Sequence, residues 1–243
     1  MGLRLLCVVA HPDYECFAFG GALALAAEAG VEVHVICFTD GQAASNRGDA
    51  TSSAELGRMR RDEFARSCKV LGVAHCELLD YQDGQLEFAD FSRAAGRLVA
   101  YIRQFRPQVV LTFGLDGGLN THADHTMVSA FTSAAFHWAA AEKRFPNLGP
   151  VHRADRLFML STSYFMEGRP APLPIPWTVA LDVRSVLERK QAAFEEHTSQ
   201  APLMERTRAM FAEHGDREFY ALVAQQEPGP AVQATGLFAG LEP

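Results

Sequence analysis

The chain has 243 residues, 48% hydrophobic and 21% charged, which is ordinary for a globular protein with a sizeable core. Its 22 basic residues stand against 29 acidic ones, a formal charge of -7, and no basic cluster is dense enough to track phosphates, so nucleic acid is not an expected partner. No apolar run approaches the roughly 20 residues that span a bilayer, no leader with a cleavage site opens the sequence, and five scattered cysteines offer neither a disulfide framework nor a CxxC metal site. The expectation is one domain over residues 1–243 in the reducing cytoplasm, without a membrane partner and with homo-oligomerisation left open.

The apolar run 3–10 reads as a buried strand that stops at His11-Pro12-Asp13-Tyr14-Glu15. A helix over 18–29 follows and closes at Gly30. Residues 31–38 form a second strand, and a polar surface loop runs on to Ser53. Ser52 and Glu55 have capping-box spacing, predicting a helix to about Leu71, ended by Gly72. A third strand covers 73–79, a turn holds Asp83-Gly84, and a helix spans 91–105 up to Pro107. The β-branched run 108–113 is a fourth strand, buried on both faces. A glycine-rich loop then leads through His122-Ala123-Asp124-His125 into a helix over 126–141. Strands are expected at 156–162 and, toward a sheet edge, at 177–183. Asp182 and Ser185 are candidate caps for a helix ending near His197. Further helical stretches are read at 203–213 and 218–226, and the Pro/Gly/Ala-rich tail from 227 as weakly held. The Phe158-Met159-Leu160 and Phe165-Met166 groups are read as core. Strand and helix alternate, which predicts an α/β fold: a Rossmann-like, doubly wound, mostly parallel sheet with helices on both faces.

Two polar clusters, His11-Pro12-Asp13 and His122-Ala123-Asp124-His125, each follow a strand and precede a helix. Open α/β sheets carry their chemistry at the carboxyl ends of the strands, so both clusters belong on one rim. Taken singly, each could be a capped helix start. Together they bring three histidines and at least two carboxylates from distant sequence. Imidazole and carboxylate are usual zinc ligands. A zinc ion polarises a carbonyl and acidifies water, a free carboxylate can take that water's proton, and a free histidine can protonate a leaving amine.

On these residues the chain resembles the LmbE-like, or PIG-L, deacetylase family, whose hallmarks are Ala-His-Pro-Asp-Asp-Glu after the first strand and His-Pro-Asp-His after a later one. Here they read Ala10-His11-Pro12-Asp13-Tyr14-Glu15 and His122-Ala123-Asp124-His125. Arg60 to Glu63, Asp83-Gly84, Lys190 and His197-Thr198-Ser199-Gln200 extend the similarity over roughly residues 3–200. The resemblance implies zinc-dependent (or other divalent-metal) hydrolysis of an N-acetyl group from an N-acetylglucosamine-type small-molecule conjugate. It implies His11 and His125 as metal ligands, Asp13 as general base, His122 as general acid and oxyanion stabiliser, and Asp124 fixing the His122 tautomer. Arg60 and His197 are the candidates for substrate contact.

Two positions depart from the pattern. Tyr14 stands where the family has a ligating aspartate, and Ala123 where it has proline. A phenol ligates zinc only if the metal removes its proton. Tyr14 therefore enters as a candidate third ligand, with Glu15 as a possible replacement. The alternative reading is a member that binds a glycoside without turning it over. Either reading with metal needs the His11 and His125 rings within about 5 Å of each other, given ~2.1 Å nitrogen–metal bonds.

Overall fold

The computed structural model describes residues 2–165, 168, 170–230 and 233–242. Seven strands form one sheet in the order β3-β2-β1-β4-β5-β7-β6. They are β1 (Arg4–Val9), β2 (Glu32–Thr39), β3 (His75–Tyr81), β4 (Val109–Thr112), β5 (Arg156–Ser161), β6 (Val179–Asp182) and β7 (Arg217–Gln225). The first five are parallel, and β7 runs antiparallel between β5 and β6. The central strands are apolar along their length because both faces are covered: every residue of β4 and Leu5 to Val9 of β1 are buried.

The helices are α1 (Tyr14–Phe17), α2 (Gly20–Glu28), α3 (Ser53–Leu71), α4 (Phe91–Phe105), α5 (Ala123–Ala139), α6 (Leu187–Glu195) and α7 (Ala201–His214). Helices α4 and α5 pack together on one face, and α2, α3 and α6 on the other. The expected α/β, doubly wound, mostly parallel architecture is the one observed. The predicted start of α3 holds: Ser52 Oγ accepts from the Glu55 amide at 3.2 Å, and Gly72 closes the helix in the left-handed region.

Four expectations are corrected. Residues 218–226, read as helical, are strand β7. Phe219 to Ala224 fit a short helix or strand equally, and pairing with β5 and β6 decides for strand. Within β7 the Glu218 carboxylate is buried. It accepts from the Gly21 and Ala22 amides at the start of α2 (2.7 and 2.8 Å), from Tyr220 Oη (2.7 Å) and from Lys190 Nζ (2.7 Å). Asp182 and Ser185 do not cap α6; Asp182 accepts instead from the Arg184 amide in a 3-10 turn. The tail is less loose than its composition suggests. Ala234 bridges to Val179, Leu237 is buried, and the Arg156 guanidinium donates to the carbonyls of Leu237 and Ala239. Phe158, Met159 and Leu160 are core, whereas Phe165 is 61% exposed and Met166 lies outside the described residues.

Between β1 and β4 the strand order reverses, and the first two crossovers lie on one face while the next two lie on the other. That reversal leaves a crevice at the carboxyl ends of β1 and β4. Both polar clusters emerge into it.

Candidate active site

The turn after β1 carries Asp13 in the left-handed region, at φ 92°, an unusual conformation for a residue with a side chain. Three hydrogen bonds hold it there. The Asp13 amide donates to Glu15 Oε2 at 2.8 Å, the Arg60 guanidinium donates to the Pro12 carbonyl, and Arg60 also donates to Asp13 Oδ2 at 2.9 Å. The other carboxylate oxygen, Asp13 Oδ1, is buried without a partner at the wall of a 430 Å³ pocket. Burial raises the Asp13 pKa to about 6, against the pull of Arg60.

The loop after β4 needs glycine at Gly117. Its φ is 81°, and a Cβ there would sit 2.8–2.9 Å from the backbone of Thr121 and His122. This close approach places the Gly117 carbonyl 2.9 Å from His125 Nδ1, which donates to it. His125 is fully buried, stacked on Phe113 at 4.0 Å, and its Nε2 has no partner. Burial, together with the nearby His11 and His122 rings, pushes its pKa well below the usual histidine value, so it is neutral with the Nε2 lone pair unused. Helix α5 starts at Ala123, earlier than read from the sequence, because the His122 side chain caps it: the Asp124 amide donates to His122 Nδ1 at 3.1 Å.

His11 is held from the opposite side. Its Nε2–H points between Asp83 Oδ1 at 2.9 Å and Asp124 Oδ2 at 3.0 Å. Burial opposes charge on this ring, but the two carboxylates outweigh it and its pKa is raised. Asp124 is itself anchored by the amides of Gly84 and Leu86, at 2.7 and 3.1 Å. With Nε2 occupied, His11 Nδ1 is the nitrogen without a hydrogen bond among the described residues. Each imidazole therefore has one nitrogen fixed by a protein acceptor and the other unused, the arrangement that outer partners impose on metal-binding histidines.

The three rings converge. Ring centroids are 4.8 Å apart for His11 and His122, 5.1 Å for His122 and His125, and 5.3 Å for His11 and His125. The last value stands just past the expected limit of about 5 Å. With ~2.1 Å bonds and ring centres about 1.1 Å behind the nitrogens, two imidazoles on a near-tetrahedral ion have centroids roughly 5.2 Å apart. Candidate ligand atoms of His11, His122 and Asp124 also lie within 4.8 Å of one another. With Asp124 Oδ2 and His122 Nδ1 already hydrogen-bonded, the unused nitrogens of His11 and His125 suit a divalent ion on the chemistry of their donors.

Tyr14 borders the same pocket. Its ring meets His125 edge-on at 4.3 Å, and its Oη accepts from Asn120 Nδ2 at 2.5 Å. Glu15 turns away: it is fully buried and accepts from Ser67 Oγ and His197 Nε2, both at 2.6 Å. His197, expected at the substrate, is fully buried behind the turn and not part of the pocket wall. Arg60 does reach the wall, but it is 3% exposed and its terminal nitrogens are used on Pro12, Gly41 and Asp13, so it positions Asp13 and its turn. Asp124 orients His122 through its backbone amide, while its carboxylate serves His11. Sequence reasoning missed Asp83 as a partner of His11; the signal was the Asp-Gly turn at the end of β3. It left Asn120 unassigned because nothing local ties it to Tyr14, 106 residues away.

A family model described as "PIG-L: GlcNAc-PI de-N-acetylase" matches residues 6–136. The chain is 30% identical over 239 residues to a 1D-myo-inositol 2-acetamido-2-deoxy-alpha-D-glucopyranoside deacetylase of Rhodococcus jostii, covering 81% of each chain. It is 34% identical over 163 residues to a mycothiol S-conjugate amidase of Streptomyces coelicolor, covering 59% of this chain and 55% of that one. Among solved structures, the conserved protein TT1542 from Thermus thermophilus superposes with a TM-score of 0.71 at 25% identity, covering 96% of this chain and 100% of that one.

Proposed function

The chain belongs to the PIG-L family, and on that premise we propose that it is a zinc-dependent amidohydrolase that removes the acetyl group from an N-acetylglucosamine-type conjugate. The observation that carries the reading is the pairing of His11 and His125. They come from two distant turns, each has one nitrogen fixed by the protein, their rings lie together, and the unpartnered Asp13 Oδ1 belongs to the pocket that His11 lines. His11 Nδ1 and His125 Nε2 would hold the ion, with Tyr14 as the third candidate ligand. Bound there, zinc would polarise the amide carbonyl and acidify water.

The protein's own groups supply the remaining steps. Asp13 Oδ1 takes a proton from the attacking water; a pKa of about 6 leaves it ionised at neutral pH yet basic enough to accept. Arg60 keeps Asp13 Oδ2 and the turn in place during that transfer. The Asp124 amide donates to His122 Nδ1, so neutral His122 carries its proton on Nε2. From the pocket wall that N–H can donate to the developing oxyanion, and the proton that Asp13 took from water supplies the one the departing amine needs, so neutral His122 need not be left an imidazolate. The relatives' names support turnover, and no comparison favours a member that binds without it.

The test is acetate release from N-acetylglucosamine glycosides by purified protein, with metal content measured in parallel. About one zinc per chain and release that stops on chelation are expected. Protein that stays inert with stoichiometric zinc bound would overturn the reading.

A further inference from the structure

We propose that a groove along α7, beside the candidate pocket, receives the non-sugar part of the substrate and selects conjugates whose aglycone pairs an anionic group with an apolar body. This deepens the deacetylase reading and depends on it for the identity of the sugar end.

A second cavity, of 680 Å³, adjoins the 430 Å³ pocket. Leu203 and Arg206 wall both, so the cavities meet across one turn of α7. Thr207 and Met210, each four residues further on, continue the same helix face into the second cavity. Tyr164, stacked on His214 at 4.4 Å and 8°, and the exposed Phe165 form its other side. Leu203 and Arg206 are the lining residues that the two cavities share, so a ligand seated with its amide at the histidines and reaching into this space passes them.

Charge defines what the groove takes. Arg206 makes no hydrogen bond or ion pair among the described residues, while its neighbours Glu205 and Arg208 pair at 2.7 Å. On the pocket side the carboxylates of Asp13 and Asp83 are already matched by Arg60 and His11. Arg206 is therefore an unmatched cation at the junction of two cavities. A guanidinium presents parallel N–H donors that suit a carboxylate or phosphate. Glu213 at the far end repels a second anion, so the charge belongs near Arg206 and the apolar body beyond it, against Leu203, Met210 and Tyr164.

The experiment uses the full chain loaded with zinc. Three β-glycosides of N-acetylglucosamine share one aryl-alkyl aglycone ending in a carboxylate, its methyl ester or a phosphate monoester. Binding is measured by calorimetry and acetate release separately. Wild-type protein is expected to bind an anionic glycoside about tenfold or more tighter than the ester, the worth of one charge-assisted contact. Arg206→Ala and Arg206→Glu should abolish that preference and Arg206→Lys should retain part of it, with circular dichroism confirming the fold. The carboxylate and phosphate arms show which anion is favoured. Equal affinity for ester and anions in the wild type, a preference that survives Arg206→Ala, or no binding of any glycoside overturns the proposal. An Arg206-dependent preference without acetate release keeps the groove and removes the deacetylase reading; release at the same anion-to-ester ratio in wild type and Arg206→Ala does the reverse.

Discussion

His197→Ala separates a structural histidine from a substrate-binding one. His197 and Glu15 are both fully buried and 2.6 Å apart, and Glu15 also accepts from Ser67 Oγ at 2.6 Å and the Asp13 amide at 2.8 Å. Removing the imidazole leaves a buried carboxylate with two of its three donors. Breaking a buried ion pair from one side costs about 3–5 kcal/mol, a large part of the roughly 5–15 kcal/mol that holds a domain together. At about 2–4 °C per kcal/mol for a chain of this size, the melting temperature should fall by roughly 6–20 °C. The pH dependence has a definite sign. Burial lowers the His197 pKa, but Glu15 more than restores it. The resulting raised value means its stabilisation is complete below 6.5 and is lost as pH rises through the folded value. Burial raises the Glu15 pKa, but His197 and Ser67 bring it below 4.5, so its share is present above 4.5 and lost as pH falls through the folded value. The gap between wild type and variant should be widest between 4.5 and 6.5. Denaturant and thermal unfolding across pH measure it. Since Glu15 holds the turn that bears Asp13, kcat should fall with little change in KM. An unchanged melting temperature with a raised KM would refute the reasoning and return His197 to the substrate.

Three further substitutions probe the site and its support. Tyr14→Asp should tighten metal binding, because a carboxylate ligates without first losing a phenolic proton; competition with a chelator reads the change, and unaltered affinity would mean position 14 does not touch the ion. His125→Ala should abolish stoichiometric metal, whereas Asp124→Asn, which alters the carboxylate shared by His11 and the Gly84 and Leu86 amides, should weaken it by about 10–100-fold. Equal losses in the two variants would contradict the division of roles. Glu218→Ala strips the partner from Lys190, two helix-start amides and Tyr220, so it should destabilise by about 3–5 kcal/mol or prevent folding. Glu218→Gln keeps the shape and should lose less; a fully stable alanine variant would show that the buried pair is dispensable.

How far the sequence discloses the fold depends on whether an element announces itself locally. β1 and β4 do, because strands covered on both faces are apolar throughout. So does α3, through Ser52 and Gly72 at its ends. β7 does not. Its inward positions include Glu218, a charge whose burial makes sense only beside Lys190 and the start of α2, residues far away in sequence. The docked tail escapes for the same reason: Leu237 is one apolar residue among Pro, Gly and Ala, and Arg156 that anchors it lies 81 residues earlier.

The site divides along a similar line. Which residues gather is legible, because the reversal in strand order sends the turns after β1 and β4 into one crevice and both turns carry histidine and aspartate. What each side chain then does is set by hydrogen bonds that spacing does not encode. Asp124 lies two residues after His122, yet its carboxylate reaches back to His11, 113 residues away. The Gly84 and Leu86 amides hold the carboxylate on that side, while the Asp124 amide caps α5 with His122. His197 and Glu15 likewise follow geometry, both being enclosed once α3 packs against α6. The unusual Asp13 conformation shows why that enclosure matters to catalysis. A left-handed aspartate persists only where its surroundings over-determine it, and here Glu15 and Arg60 do so while leaving one carboxylate oxygen unpartnered. The buried polar network around the turn thus fixes Asp13 in place while leaving Oδ1 available for the base role proposed for it.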